Sequence, residues 1–262
     1  MSEPNPYQPP APAVPAATSS APEGAFTAAG RAVDAGRGWE WIVEGFAMFK
    51  RQPGIWILVV IVVMACSILI SLVPVIGTLA NMLLMQVFMG GVMLGCRALD
   101  GGGSLEVGHV FAGFRQNTGD LVVLGVLALV GWVIAFIPAM VIAGGGTFMA
   151  LMRGGQFMPV LGTLGLTFVL AMLVAFALML PLYMALWFAP SLIVFNNLKP
   201  VAAMQASFFA CLKNVVPFLL YSVILLVLGV AAAIPLGLGF LVLGPVVIAS
   251  IYAGYRDIFF AG

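Results

Sequence analysis

Charge is what this sequence has least of. Asp, Glu, Lys and Arg make up 7% of its residues, against roughly 25% in an ordinary soluble domain, so most of the chain has no polar surface to offer water. The net charge of +1 leaves no electrostatic footprint for nucleic acid, which excludes that class of partner. Histidine occurs once, at His109, with no Cys or carboxylate at ligand spacing, so no metal or other cofactor is indicated. Cys66, Cys96 and Cys211 are odd in number and form no C-x-x-C, which argues against a disulfide framework or a zinc site; they read as small hydrophobes. Catalytic motifs are missing too. "GGGS" at Gly101 to Ser104 and "GGG" at Gly144 to Gly146 lack the Gly-Lys-Ser/Thr ending of a phosphate loop, and G-x-S-x-G and H-E-x-x-H are absent. Glu40 and Glu44 are four apart on a helix, where like charges belong on the wet face. The chain is therefore not read as an enzyme.

What is present is apolar. Hydrophobic residues reach 63%, and they fall in runs of the ~20 residues that a helix needs to cross a hydrocarbon core of about 30 Å. The runs are Gly54 to Val73, Val75 to Arg97, Leu121 to Ala143, Val215 to Ile234 and Leu236 to Tyr255, plus a longer block from Pro159 to Phe195. That block would make a helix of about 55 Å, so it is expected to bend or break, with Pro181 and Pro190 as the candidate places. Between the third run and this block, residues 139–165 predict either a longer helix pair or a short re-entrant piece. The fold expected is an all-α integral membrane protein with six transmembrane helices. No ionisable residue lies in a span core, where each costs about 2.5–3.5 kcal/mol and marks a transport path. Ser67, Ser71, Asn81, Gln86, Thr163 and Thr167 read as interhelical hydrogen bonders.

Residues 1–36, opening "MSEPNPYQPPAPAVPAATSSAPEG", have no basic region followed by an apolar one, and are expected to be a disordered Pro/Ala-rich tail. Six spans put Arg31, Arg37, Lys50, Arg51, Arg97, Arg115, Lys199, Lys213 and Arg256 on one side and Arg153 alone on the other. By the positive-inside rule both termini are expected in the cytoplasm.

A pentad recurs on that side: "FAMFK" at Phe46 to Lys50, "FAGFR" at Phe111 to Arg115 and "FACLK" at Phe209 to Lys213, each just before an odd-numbered span. The chain accordingly reads as three units, residues 37–100, 101–197 and 198–262, each an interfacial amphipathic helix followed by a helical hairpin. Apolar faces are expected at Ile42, Phe46 and Phe49, at Val107, Phe111 and Phe114, and at Met204, Phe208 and Leu212, lying in the headgroup plane. Lys50, Arg115 and Lys213 would snorkel to the headgroups. Small-x-x-x-small patterns at Gly91 and Gly95 and at Ser250 and Gly254 would let helices approach closely. "GCRALD" and "GYRDIF", ending the second and sixth spans, also match as G-x-R followed by an acid.

The stretch "ALWFAPSLIVFNNLKPVAAMQASFFACLKNVVPFLLYSVILLVL", followed by "IPLGLGFLVLGPVVIASIYAGYRDIF", resembles a family of bacterial six-span inner-membrane proteins. Its W-x-A-P and K-P-x-x-A-x-x-x-S patterns are also distantly similar to the membrane domain of some glycerophosphodiester phosphodiesterases. Neither family brings assigned catalytic residues. The first resemblance implies the bacterial inner membrane, and the second hints at lipid. The functional expectation is a non-enzymatic scaffold, assembly or lipid-organising protein at the cytoplasmic membrane face, its partners the bilayer and other membrane proteins or further copies of itself. The alternative is a carrier or channel for a small solute or lipid. If the pentads anchor the units, replacing Phe46, Phe111 and Phe209 by Ser loosens insertion or packing of the unit concerned. Unchanged expression and protease resistance in all three variants would mean that the recurrence carries no structural load.

Overall fold

The computed structural model describes residues 24–152 and 157–260. Helix α1 (Arg37–Arg51) leads into a hairpin of α2 (Pro53–Ser71) and α3 (Ile76–Asp100). A 3-10 helix, Val107–Phe114, precedes α4 (Thr118–Met152) and α5 (Phe157–Trp187), and α6 (Ala189–Asn196) continues the line of the chain after a break. Helix α7 (Pro200–Lys213) then leads into α8 (Val215–Ala233) and α9 (Phe240–Phe259). No strand occurs among the described residues. Six stretches are long and apolar enough to cross a membrane: Pro53–Ser71, Ile76–Asp100, Thr118–Gly145, Gly165–Asn196, Val215–Ala233 and Phe240–Phe259. The six membrane helices expected from the sequence are thus present.

The long apolar block breaks at one of its two prolines. Helix α5 continues unbroken past Pro181, whereas Pro190 stands in the first turn of α6, where its missing N–H costs nothing. The break is held from outside, because the Phe188 backbone N–H donates to Ser207 Oγ at 3.0 Å instead of to a helix carbonyl. Helices α4 and α5 continue to Met152 and from Phe157, so the described part of residues 139–165 is a longer helix pair and shows no re-entrant piece.

The short approach elements differ from expectation in where their apolar faces point. Helix α1 turns Trp41, Ile42, Met48 and Phe49 into the protein and leaves Trp39, Val43 and Phe46 outside. It lies against α8 and α9 at backbone contact. A Cβ on Gly38 would fall 2.2 Å from the Pro217 carbonyl oxygen, and one on Gly45 would fall 2.8 Å from the Ser250 nitrogen. The second element is an eight-residue 3-10 helix instead of an amphipathic α-helix. It is closed by a local box in which the Glu106 N–H donates to His109 Nδ1 at 3.0 Å, while the Glu106 side chain accepts from the His109 backbone. In α7 the buried face is Ala203, Ser207, Ala210 and Cys211, and the expected stripe of Met204, Phe208 and Leu212 lies beside or outside it. Packing between membrane helices rewards small side chains that let backbones approach, and α7 sits against α5 and α6 in that way.

The boundary of the expected disordered tail is also corrected. Residues 1–23 lie outside the described residues, but the segment after them is docked. Phe26 lies 6.3 Å from Phe259 and 5.7 Å from Phe260 between ring centroids, and the Thr27 and Arg31 N–H groups donate to the carbonyls of Phe259 and Ile258, each at 2.9 Å. Large buried side chains, Trp41, Trp56, Phe188, Tyr255 and Phe259, gather at this end, whereas Leu72, Val75, Ile234 and Leu236 at the opposite turns are exposed. Gly38→Ala is expected to cost about 1–3 kcal/mol through overpacking, while Gly36→Ala, with nothing within 4 Å of its added Cβ, should be neutral. Thermal unfolding of both in detergent checks the contrast.

Candidate functional site

The last turns of α9 carry the polar centre of the molecule. Asp257 accepts from Arg31 Nη2 at 2.7 Å, from Arg37 Nε at 2.6 Å and from Trp41 Nε1 at 2.9 Å. Arg31 Nε donates in addition to the Asp257 carbonyl, at 2.6 Å. One carboxylate therefore gathers the N-terminal segment, α1 and α9. Its neighbour Arg256 reaches the other way, donating to Asp100 at the end of α3 and to Glu44 of α1 at 3.3 Å. Asp100 also accepts from the Tyr252 hydroxyl at 3.2 Å. The acid of "GCRALD" is thus held by the arginine of "GYRDIF". Arg97 of the first motif lies over the Phe195 ring at 4.7 Å, and Tyr255 donates to Asn196 at 2.5 Å, which ties in α6.

Asn214, between α7 and α8, is buried and fully used. Its Oδ1 accepts from the Val33 N–H, and its Nδ2 donates to the Arg31 and Ala210 carbonyls, all at 2.8 Å. Outlying pairs such as Lys199 with Asp120, at 3.3 Å, stay open to water. Every Lys and Arg among the described residues stands in these elements, on the end where α1, the α3–α4 and α6–α7 connections and the end of α9 meet. A charge taken out of water is tolerated only with partners that satisfy it, and this cluster supplies them. Burial pushes the Glu44 carboxyl above its ordinary value, against the opposing pull of Arg256 and Arg37. A carboxyl raised on folding is bound more tightly by its proton in the folded state, so its contribution to stability declines as pH rises through the range between its unfolded and folded values. Burial alone would lower Arg37, but the hydrogen bond to Asp257 together with the charges of Asp257, Glu40 and Glu44 outweighs that and raises it. Burial also pushes the Cys211 thiol up to about 12, which leaves it inert as a nucleophile. No group of His, Cys, Asp and Glu able to hold a metal occurs among the described residues.

The residues singled out in the sequence do not converge on this cluster. Phe46, Phe111, Phe114, Phe209 and Leu212 are exposed apolar side chains on α1, the 3-10 helix and α7, whereas Phe49 is buried. Lys50 lies over the Phe46 ring at 5.1 Å, Arg115 is exposed, and Lys213 donates to the Ala29 carbonyl at 2.8 Å. Gly91, Gly95 and Gly254 seat approach elements, whereas Ser250 also joins two membrane helices. A Cβ on Gly91 would fall 2.4 Å from the His109 carbonyl oxygen of the 3-10 helix, and one on Gly95 would fall 2.5 Å from Leu105. Gly254 faces Trp41, and Ser250 bonds the Tyr221 hydroxyl at 2.7 Å beside α1.

No family model matches the chain, and no solved structure matches it. Over 256 residues it is 30% identical to a probable inner membrane protein of Burkholderia thailandensis, an alignment that covers 87% of this chain and 92% of the relative. The chain belongs to that protein's family. Together with the six apolar helices, membership makes this a multi-pass inner membrane protein.

In this inner membrane protein the Asp257 cluster was the part sequence reasoning missed. The signal was the repeated G-x-R-acid motif, which shows that two acids lie near two arginines but not that the partners cross between motifs. Asp257→Ala leaves the buried Trp41 indole without its acceptor and two part-exposed arginines without their carboxylate, and should cost roughly 1–3 kcal/mol. Asp120→Ala, which breaks an exposed pair, should cost about 1 kcal/mol or less. Equal melting shifts for the two variants would show that Asp257 is not a structural centre.

Proposed function

We propose that this protein is a non-enzymatic organiser of the inner membrane, acting through a cytoplasmic face built from the charged end of the bundle. The observation that carries the reading is the shape of that end. Around the Asp257 cluster, the three approach elements each turn one face into the protein and keep another apolar face outside. These outer faces are Trp39, Val43 and Phe46 on α1, Phe111 and Phe114 on the 3-10 helix, and Val201, Phe209 and Leu212 on α7. The first Phe of every pentad is 41–54% exposed. Short helices with one apolar face and flanking Lys or Arg lie at the headgroup boundary, and the positive-inside rule puts that boundary on the cytoplasmic side. On this reading Phe46, Phe111 and Phe209, with Lys50, Arg115 and Lys213, are the interfacial anchors of three related units. Of the opposite turns, those joining α2 to α3 and α8 to α9 offer apolar side chains, among them Val75 and Leu236, so recognition of a polar partner is assigned to the charged end. The likeness of the Trp187 to Lys213 stretch to a membrane domain found with phosphodiesterases of lipid headgroups points towards lipid as what is organised.

Cross-linking from photoreactive residues at positions 46, 111 and 209 in native membranes is expected to capture a protein partner, and deletion of the protein is expected to change membrane lipid composition. Capture of no partner, together with an unchanged lipid composition, overturns the reading. Solute or lipid movement in reconstituted vesicles above empty controls would support the carrier instead.

A further inference from the structure

The second hairpin is too long for the bilayer that the other two fit. Helix α4 has 35 residues, about 52 Å at the rise of an α-helix, whereas α2 and α8 have 19 each, about 29 Å, which matches a hydrocarbon core of about 30 Å. The register between hairpins is fixed on α3, where a Cβ on Gly125 would fall 2.7 Å from the Leu83 carbonyl oxygen. Beyond that contact α3 has only residues 76–82 left, about 10 Å, but α4 continues to Met152, about 40 Å. Even at a tilt of about 40°, the upper end for transmembrane helices, the α4–α5 hairpin overhangs α3 by roughly 20 Å at the end opposite the charged cluster. We infer that a second copy of this chain covers the overhang, the two α4–α5 hairpins pairing about a two-fold axis along the membrane normal.

The overhang needs a cover. Among the described residues α4 carries no charge after Asp120 and α5 carries none at all. Met140, Val141 and Phe148 share one face of α4, Leu166, Leu173 and Phe176 share one face of α5, and all six are 58–74% exposed. Between themselves the two helices bury only small side chains here, Ala139, Ala171 and Ala175, so the large ones are turned outward. At roughly 120 Å² apiece the six present about 700 Å², more than the ~300–600 Å² patch that a monomer ordinarily leaves exposed. That area is close to the ~800 Å² that each partner of a stable interface buries.

Other covers fit less well. Residues 1–23 join the chain at the charged end, where Phe26 rests on Phe259 and Phe260, and so on the other side of the bilayer. Lipid would have to thicken by about 20 Å around one hairpin, at a fraction of a kcal/mol per Å, beside two hairpins that hold it at ordinary thickness. A second copy brings the same apolar surface at the same depth, and a two-fold axis sets each stripe against its equal. The stripe also has a notch for it. Gly144 lies between Met140 and Phe148 at helical spacing, exposed and with nothing within 4 Å of an added Cβ, which lets a neighbouring helix approach closely.

The test co-expresses two differently tagged copies of the full-length chain and extracts them in native lipid particles. A photoreactive residue at position 140 is expected to give a product carrying both tags. The same residue at position 68, as exposed but on the short helix α2, is expected to give none, and native mass spectrometry is expected to find two chains per particle. Gly144→Phe, which has room in a single chain, should abolish both the dimer and the capture. Gly229→Phe, at an equally open glycine of α8, should leave both intact. Single chains in wild-type particles, capture at 140 of lipid or of a different protein instead of a second copy, or equal behaviour of the two glycine variants overturns the inference. It does not rest on the membrane-organising reading, whose cross-links from positions 46, 111 and 209 lie at the other end of the bundle, so the two fail separately.

Discussion

The Asp257 carboxylate is the constraint from which the packed end of this protein follows. An acid so nearly enclosed must be matched by donors or the helix that carries it cannot remain there. Its partners come from two other places in the chain, and all three arrive at α9. With Arg37 and Trp41 committed, α1 has no freedom to lie out on the membrane. With Arg31 committed, the segment before α1 is drawn across the end of α9, where Asn214 receives it. The second arm, Arg256 to Asp100 and Glu44, extends the same logic to the first hairpin.

Membrane helices gain little from burying apolar surface against one another, because lipid is as apolar as they are. Close approach and hydrogen bonds must supply the cohesion instead, and both are concentrated at the charged end. There Gly38, Gly45 and Gly91 admit backbone to within contact, and the tyrosines of α9 are all hydrogen-bonded. Away from it, few residues of α2 and α8 are buried. The approach elements are therefore the keystones between hairpins, with only their outer faces left for lipid.

Much of this architecture was legible in the residues. Run lengths of apolar side chains are set directly by the thickness of the bilayer, so six helices and their turns could be read without knowing a single contact. The break at Pro190 was legible as one of two options, and the choice fell to Ser207, a partner nineteen residues away that local sequence cannot name. Faces of short helices were read less well. Periodicity finds an apolar stripe, but in α7 small residues won the buried face because the neighbouring backbones are so near. In the second unit, glycines at 108 and 113 and the Glu106–His109 box favoured the tighter 3-10 helix. The Asp257 cluster was hidden for a different reason. Its members are 226 and 220 positions from their partners, and in a single sequence nothing marks an arginine in a Pro/Ala-rich stretch as the partner of an acid at the other end.

That separation bears on how the protein is made. The segment around Arg31 leaves the ribosome well before the surface it docks on, the final turn of α9, which is synthesised 226 residues later. Until then the indole of Trp41 and the guanidinium groups of Arg31 and Arg37 have no carboxylate to receive them, and α1 has no α9 to rest against. Insertion of the hairpins can proceed span by span, whereas closure of the charged end waits for α9. Until α9 is made, the inserted helices thus lack the carboxylate that locks their charged end.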